Sequence, residues 1–408
     1  MSSKFKVRKL WVLSLLSLTV LSTGPQVSAQ VEEINKVPNL AQDIQEIVQY
    51  DSIELPEGYP QELLDWYESN IDARSFVAID VETNKILAER QSTVPYPIAS
   101  MSKVIAVYMA YKAIDEGTLS MDTMIKIPQE IEDHMSFNPE MSAVGLNAGQ
   151  EYSFKDLIHG IMMVSGNDAT SALLWEIYGS EQEAVQAIRK QLTDWGMTDF
   201  EFYTVSGIPN TYLPQEWWVE GSNETSENKM SAADVALMAQ YVVKEYPALL
   251  EVTSKYEYTF AEGTEFEQVM GTTNLLLDGM PYGREGITGL KSGMTDAAGR
   301  NFVATTTENG RQIITVVMGL FDREDGLDVN TYWETEILLD GLLEHANLFE
   351  IEGLATNLRP TREEREAELA KLAEEELQAD MAEEGIELDN RRDSPVTNFM
   401  RDLFNVFN

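Results

Sequence analysis

The spacing of apolar and polar positions divides the chain into four stretches. It is strongest between residues 73 and 346. Short β-type runs at 75–81 and 85–89 flank Glu82-Thr83-Asn84 and predict a hairpin. The run 102–116 carries Val104, Val107, Tyr108 and Tyr111 at helical spacing and predicts a helix with that face inward. Apolar helices are expected at 154–164, 168–178 and 232–245, and a strand at 287–291. The β-rich runs 301–307 and 312–320 are separated by Glu308-Asn309-Gly310-Arg311. An Asn-Gly pair in that setting is the strongest short-range hairpin signal. A last helix is expected over about 331–345. Strands at both ends with helices between them predict an α+β domain, a sheet covered by helices.

The flanks have a different character. Residues 1–29 read as a signal peptide: Lys4, Lys6, Arg8 and Lys9, then an apolar run at 10–21, then Val27-Ser28-Ala29 with cleavage before Gln30. The alternative is an uncleaved anchor, disfavoured because the apolar run is shorter than the ~20 residues a spanning helix needs. Residues 30–72, with Pro38, Pro56 and Pro60, read as an acidic tether leading into a helix near 60–70. Residues 347–393 read as an acidic helical stalk, with Leu369, Leu372 and Ala373 at helical spacing inside 361–384. In 394–408, Ser394-Pro395 resembles a helix N-cap followed by proline at the first helical position. Val396, Phe399, Met400, Leu403, Phe404 and Phe407 then form one apolar face. Such an amphipathic helix suits a membrane interface, the favoured partner, or docking on the protein's own surface.

Composition narrows the chemistry. The 408 residues include 29 basic and 69 acidic side chains, a net charge of −40. That argues against nucleic acid, which needs a basic face. Removing 1–29 takes away four positive charges and no acids, lowering the net charge to −44. The expected location is extracytoplasmic, peripheral on the outer face of the cytoplasmic membrane. With no cysteine, disulfides and thiolate chemistry are excluded. His134, His159 and His345 do not sit at ligand spacing, so neither a metal nor another cofactor is expected. His159 lies in an apolar helix and reads as a core residue.

Serine with a lysine base is one of the few remaining routes to nucleophilic catalysis. Ser100-Met101-Ser102-Lys103 has S-x-x-K spacing, which at a helix start places Lys103 one turn on, beside the Ser100 hydroxyl. The helix N-terminus adds backbone N–H groups and positive dipole. Alone the motif is weak, since 3–6 and 226–229 match it as well. A second element, Ser165-Gly166-Asn167, has S-x-N form, and Ser226-Glu227-Asn228 matches that too. A third, Lys291-Ser292-Gly293, fits K-[ST]-G at the end of the expected strand. Their order and contexts together point to the penicillin-recognising serine enzymes.

Over about residues 70–345 the chain resembles the low-molecular-mass penicillin-binding proteins, D-alanyl-D-alanine carboxypeptidases of the DacA type (peptidase family S11). The resemblance extends beyond the motifs to Pro97-Ile98-Ala99, to Asp168-Ala169, to Asn274-Leu275-Leu276-Leu277, and to Gly289 through Asp296 with Ala298-Gly299. It implies a β-lactamase/transpeptidase-like fold, an antiparallel sheet flanked by helices, here with a helical C-terminal extension. It also implies acyl transfer. Ser100 attacks the carbonyl between two terminal D-alanines and Lys103 takes its proton. Ser165 passes a proton to the leaving D-alanine, and Asn167 holds a substrate amide and positions Lys103. Lys291 orients Ser165 and binds the terminal carboxylate with Ser292. Gly293 belongs to the same motif, and the N–H groups of Ser100 and Met294 form the oxyanion hole. The implied partners are a peptidoglycan stem peptide and β-lactam inhibitors.

The departures are specific. Serine stands at Ser292 where threonine is commoner. No arginine or lysine occurs between Arg323 and Arg359, where many relatives place a basic residue for the substrate carboxylate; Arg300 is a candidate substitute. The relatives' β-rich C-terminal domain is replaced by the acidic stretch. Trp217-Trp218 sit in an apparent insertion, read as a packed loop rather than a groove wall. The rival activities are a D,D-endopeptidase, a serine β-lactamase, for which no E-x-x-L-N segment is found between Asn167 and Lys291, and a non-enzymatic wall-binding scaffold.

Overall fold

The computed structural model describes residues 55–322, 329–365, 367 and 371. The expected signal peptide, the amphipathic C-terminal helix and the tether before residue 55 lie outside the described residues, as does almost all of the stalk's helix.

Five strands form one sheet: β1 (Ser75–Asp80), β2 (Ile86–Arg90), β3 (Ile287–Thr295), β4 (Gly299–Glu308) and β5 (Arg311–Leu320). Their order is β2-β1-β5-β4-β3, and each neighbouring pair is antiparallel. The first hairpin and the last three strands therefore meet, with Ser75 opposite Met318 and Asp80 opposite Ile313. The β4–β5 turn is the expected Asn-Gly: Asn309 has φ 51° and Gly310 φ 79°, both left-handed as a two-residue hairpin loop prefers.

Among the described residues the longer helices around the sheet are α1 (Gln61–Asn70), α2 (Lys103–Asp115), α3 (Phe154–Met163), α4 (Asn167–Tyr178), α5 (Glu181–Asp194), α6 (Ala232–Glu245), α7 (Leu249–Thr253) and α8 (Thr331–Glu344). On one face, Leu63 and Tyr67 of α1 and Leu338, Leu339 and Leu342 of α8 pack with Phe76, Ala78, Phe302, Ala304 and Val317 of the sheet. Each large apolar side chain buried there contributes roughly 1.5–3 kcal/mol. On the other face α6 lies against β1 and β5, and α2 lies against α3, α4 and α6. With helices on both faces, every residue of β1 is buried. Two helix starts are capped alike: the Ser153 hydroxyl accepts the Asp156 N–H at 3.0 Å, and the Ser231 hydroxyl accepts the Asp234 N–H at 3.1 Å. Such caps are worth about 1 kcal/mol each.

The structure differs from the sequence reading in four places. Helix α2 is buried nearly all round, from Lys103 through Tyr111, rather than on one face. Helix α5 was not expected; its apolar positions Ala184, Val185, Ile188 and Leu192 are buried on one side of an otherwise polar segment. Strand β3 runs on to Thr295, so Lys291-Ser292-Gly293 lies within the strand. The main body also reaches beyond 73–346. Leu63 and Tyr67 before it and Leu348, Phe349 and Leu354 after it belong to the same core, and the Ile86 N–H donates to Ala355 O at 2.8 Å.

Residues 194–196 and the described residues from Arg359 onward form a separate small unit. It starts a helix with a capping box. The Glu364 N–H donates to the Thr361 hydroxyl at 3.2 Å, and the Thr361 N–H donates to the Glu364 carboxylate at 2.8 Å. No helix among the described residues is long and apolar enough to cross a membrane.

Candidate active site

Ser100 sits on a 3₁₀ turn, Ala99–Ser102, that leads into α2 at Lys103. Ala99 enters the turn with φ 48°, a left-handed value uncommon for a residue with a Cβ. In a 3₁₀ turn residues i and i+3 eclipse, and Lys103 Nζ accordingly lies 2.8 Å from Ser100 Oγ. Two further oxygens surround the same nitrogen: Asn167 Oδ1 at 2.7 Å and Ser206 O at 2.7 Å. Lys103 is fully buried. Burial first, and then the charge of Lys291, holds its ammonium well below the ordinary lysine range, with Asp168 opposing.

Asn167 opens α4, and its N–H donates to Ser142 O at 2.9 Å. Ser165, two residues earlier, is buried with φ 60°. This corner is held by Asp168. Its carboxylate accepts the N–H groups of Val144, Gly145, Leu146 and Ala169 at 2.9, 2.9, 3.2 and 2.8 Å. Burial raises the Asp168 carboxyl while those four donors pull it back. Loop 142–147 and the S-x-N corner are thereby fixed to each other.

Lys291 is buried on β3, and its Nζ donates to Ser292 O at 3.0 Å. Burial lowers it to about 7. Gly293 is where this strand touches the turn that carries Ser100. A Cβ built there would stand 2.7 Å from Ile98 O and 3.0 Å from the backbone nitrogens of Ser100 and Met101. Only glycine lets the backbone on either side of Met294 approach the Ser100 N–H this closely. The Met294 side chain itself points outward and is exposed. Gly207, with φ 85°, does the same on the opposite wall, where a Cβ would collide with the Ala99 carbonyl.

Sequence reasoning missed several residues that meet here. The Ser206 carbonyl carries no sequence signal. Asn228 belongs to the second S-x-N match, which had no role assigned to it; it is fully buried and its side chain donates to Ser102 Oγ at 2.9 Å. Tyr332 on α8 lies over Phe302, with ring centroids 4.9 Å apart, and Phe302 is the strand partner of Ser292. The Tyr332 hydroxyl donates to Thr273 O at 2.6 Å; burial raises its pKa, with the Ser292 hydroxyl opposing. Arg300 is opposite Met294 in register and ion-pairs with exposed Asp322 at 2.6 Å.

Three residues singled out earlier, His159, Trp217 and Trp218, are structural. His159 is buried and stacked on Tyr258 at 3.7 Å; burial lowers it to about 4. Trp217 packs edge-on against Trp175, and Trp218 Nε1 donates to Asn210 O at 3.0 Å, so the insertion is a packed loop. Among the described residues no group of three or more His, Asp or Glu side chains could hold a metal ion.

A family model described as D-alanyl-D-alanine carboxypeptidase, peptidase S11, matches residues 64–322. D-alanyl-D-alanine carboxypeptidase DacF of Bacillus subtilis (strain 168) is 28% identical over 249 residues, 61% of this chain and 57% of that protein. DacA of Escherichia coli (strain K12) is 28% identical over 253 residues, 61% of this chain and 56% of that one. The chain thus spans little more than half the length of these curated relatives. Among solved structures, a peptidoglycan synthesis regulatory factor (PBP3) from Streptococcus pneumoniae is 35% identical with TM-score 0.62, covering 67% of this chain and 72% of that one. Penicillin-binding protein D2 from Listeria monocytogenes, in its cefotaxime-bound form, shares the fold at 23% identity with TM-score 0.54, covering 66% of this chain and 97% of that one. The antiparallel sheet flanked by helices is therefore the penicillin-binding, transpeptidase-like fold. Since the model match covers well over half the chain, and the S. pneumoniae protein is similar over two thirds of it, the chain belongs to the peptidase S11 family of D-alanyl-D-alanine carboxypeptidases.

Proposed function

We propose that the protein is a serine-type D-Ala-D-Ala carboxypeptidase that removes the terminal D-alanine of peptidoglycan stem pentapeptides. The observation that carries this reading is the trio of oxygens around Lys103 Nζ: Ser100 Oγ, Asn167 Oδ1 and Ser206 O, all within 2.8 Å. A neutral amine has two N–H donors and one lone pair. The Asn167 amide oxygen and the Ser206 carbonyl can only accept, so they take both N–H groups and leave the lone pair facing the Ser100 hydroxyl. A depressed lysine so oriented is a general base.

In the proposed reaction Ser100 Oγ bonds to the penultimate D-alanine's carbonyl carbon as its proton passes to Lys103. The N–H groups of Ser100 and Met294 stabilise the oxyanion. The C–N bond then breaks, and Ser165 relays the proton to the departing amine. Water, deprotonated along the same route, cleaves the ester and restores Ser100. Protonated Lys291, Ser292 and the strand backbone hold the terminal carboxylate. A β-lactam would acylate Ser100 likewise, as a ring amide whose leaving nitrogen stays attached. The enzyme would act outside the cytoplasmic membrane, after removal of 1–29, with 394–408 holding it at the membrane surface and 359–393 as spacer.

The test is labelling by a fluorescent penicillin together with D-alanine release from an acyl-Lys-D-Ala-D-Ala peptide, wild type against Ser100→Ala. Ser100-dependent label and release are expected. Label without release, but with cleavage of cross-linked dimers, would reassign the protein as an endopeptidase. Rapid turnover of the label would reassign it as a β-lactamase.

A further inference from the structure

The proton acceptor has a support that none of the three motifs contains. Ser206 O, the backbone acceptor for Lys103, belongs to segment 203–208, which is fastened by fully or almost fully buried side chains. The N–H groups of Tyr203 and Thr204 donate to Asn228 Oδ1 at 2.6 and 3.1 Å, and the Val205 N–H donates to Glu181 Oε1 at 2.8 Å. Asn228 Nδ2 donates to Thr204 O at 2.7 Å and to Ser102 Oγ at 2.9 Å, tying the segment to the turn that carries Ser100. Glu181 Oε2 accepts Trp175 Nε1 at 2.8 Å and Ser171 Oγ at 3.1 Å, tying it to the helix that carries Asn167. Thr204 Oγ1 closes the loop internally, accepting the Gly207 N–H at 3.1 Å and donating to Ile208 O at 2.9 Å.

Every polar atom of the Asn228 side chain is used: two donations and two acceptances. Glu181 takes three donors in a fully buried position. A carboxylate can do that, whereas a glutamine would turn an N–H toward one of them. Burying such a carboxylate is unfavourable, and its pKa is raised by burial and lowered by those three donors. A buried charge sustained only by neutral donors points to a positional task. The group this segment presents to Lys103 is the Ser206 carbonyl.

We propose that Asn228 and Glu181 are positioning residues for the general base. Together they aim the Ser206 carbonyl so that the Lys103 lone pair, and not an N–H, faces Ser100. This rests on the reading of Lys103 as base, and it goes beyond the three motifs. If the carbonyl swings away, Lys103 gains a free N–H and can rotate it toward Ser100 Oγ, an unproductive arrangement. Substrate recognition at Lys291 and Ser292 is untouched, so the loss belongs in the rate of acylation and not in binding.

The test uses the full-length chain with Glu181→Gln and Asn228→Asp, which keep side-chain size, and Glu334→Gln as control. Glu334 is another buried carboxylate, accepting the Asp72 and Ala73 N–H groups at 3.0 Å each, on the far face of the sheet. Long exposure to penicillin gives the titre of folded, competent sites, and rates are expressed per titrated site. Both site variants are expected to lose about 10–100-fold in the limiting acylation rate, with the half-saturating penicillin concentration within about threefold of wild type. Glu334→Gln is expected to lower the melting temperature and leave the rate unchanged. Wild-type rates per site in the two variants, a change confined to half-saturation, or equal slowing in Glu334→Gln would each overturn the proposal. Absence of Ser100-dependent label in the wild type would instead overturn the carboxypeptidase reading on which it rests.

Discussion

On the α1–α8 face of the sheet, Leu63, Tyr67, Leu338, Leu339 and Leu342 meet Phe76, Phe302 and Val317, with Glu334 as a buried acid tied to two N–H groups. On the side of α2 and α4, Lys103, Lys291, Asp168, Glu181 and Asn228 are all buried as well. The first region is assembled from groups that favour leaving water. The second holds groups that resist it; Lys103, Asp168, Glu181 and Asn228 are tied to the Ser100 turn or the loops around it, and Lys291 to the neighbouring strand. Burial in the first region stabilises the fold. Burial in the second fixes positions and shifts proton affinities, and the first region has to offset its unfavourable desolvation.

The sharpest way to break this contrast is Lys103→Met. Methionine matches the lysine stem but brings no charge to desolvate. Acylation per folded molecule is expected to fall by about 10³-fold, within the range for loss of a general base, while the melting temperature rises. A fall in melting temperature would mean that Lys103 also stabilises the fold and would erase the distinction. Leu338→Ala tests the other face. That leucine is fully buried, and its truncation is expected to destabilise by about 2–5 kcal/mol in denaturant titrations. The acylation rate at 20 °C is expected to stay unchanged, and a slowed rate would show that the two regions are coupled.

How much of this contrast could be read from the sequence follows from what carries it. The apolar region announces itself by periodicity. The strands of β1, β4 and β5, the Asn309-Gly310 turn and most helices were expected within a few residues. Helix α5 was not, because its acidic and polar surface hides a narrow apolar stripe. The strand of Lys291 was expected to stop short, because Ser292-Gly293 is poor β material until the approach to Ser100 explains the glycine. Of the polar region, Ser100, Lys103, Ser165, Asn167 and Lys291 were named because their spacing is a pattern, and the structure joins Ser100, Lys103 and Asn167 by hydrogen bonds. Ser206 acts through its carbonyl, which every residue has. Asn228 and Glu181 act on backbone N–H groups from distant parts of the chain, so no local spacing marks them.

A smaller effect separates the two lysines by pH. Burial lowers Lys291 to about 7, against 10.5 for an exposed lysine. Between those values the unfolded chain binds more protons than the native one, so stability is expected to rise with pH from about 7 toward 10. Substrate binding should run the other way. The charged form that pairs with a carboxylate dominates below about 7 and falls tenfold per pH unit above it. KM for an acyl-D-Ala-D-Ala peptide is therefore expected to rise about fivefold between pH 7 and 8. A flat KM would mean that the carboxylate is held without the Lys291 charge.

The smallest expected effect concerns a residue that belongs to both regions. Tyr332 stands on α8 and packs on Phe302, as a member of the apolar face would. Its hydroxyl nonetheless donates to Thr273 O at 2.6 Å, and the Ser292 hydroxyl opposes the rise that burial gives its pKa. It occupies the stretch, 324–358, in which this chain has no arginine or lysine. If Lys291 and Ser292 hold the substrate carboxylate as proposed, the lack of a cation in that stretch leaves more of the task to the Ser292 hydroxyl, beside which Tyr332 stands. Tyr332→Phe keeps the ring and removes one hydrogen-bonding group, worth about 1 kcal/mol. KM for the peptide is expected to rise about three- to fivefold with kcat unchanged. A lower melting temperature with unaltered KM would assign Tyr332 to the apolar face alone, and Arg300, facing Met294 across the strands, would then be the remaining group to test for the carboxylate.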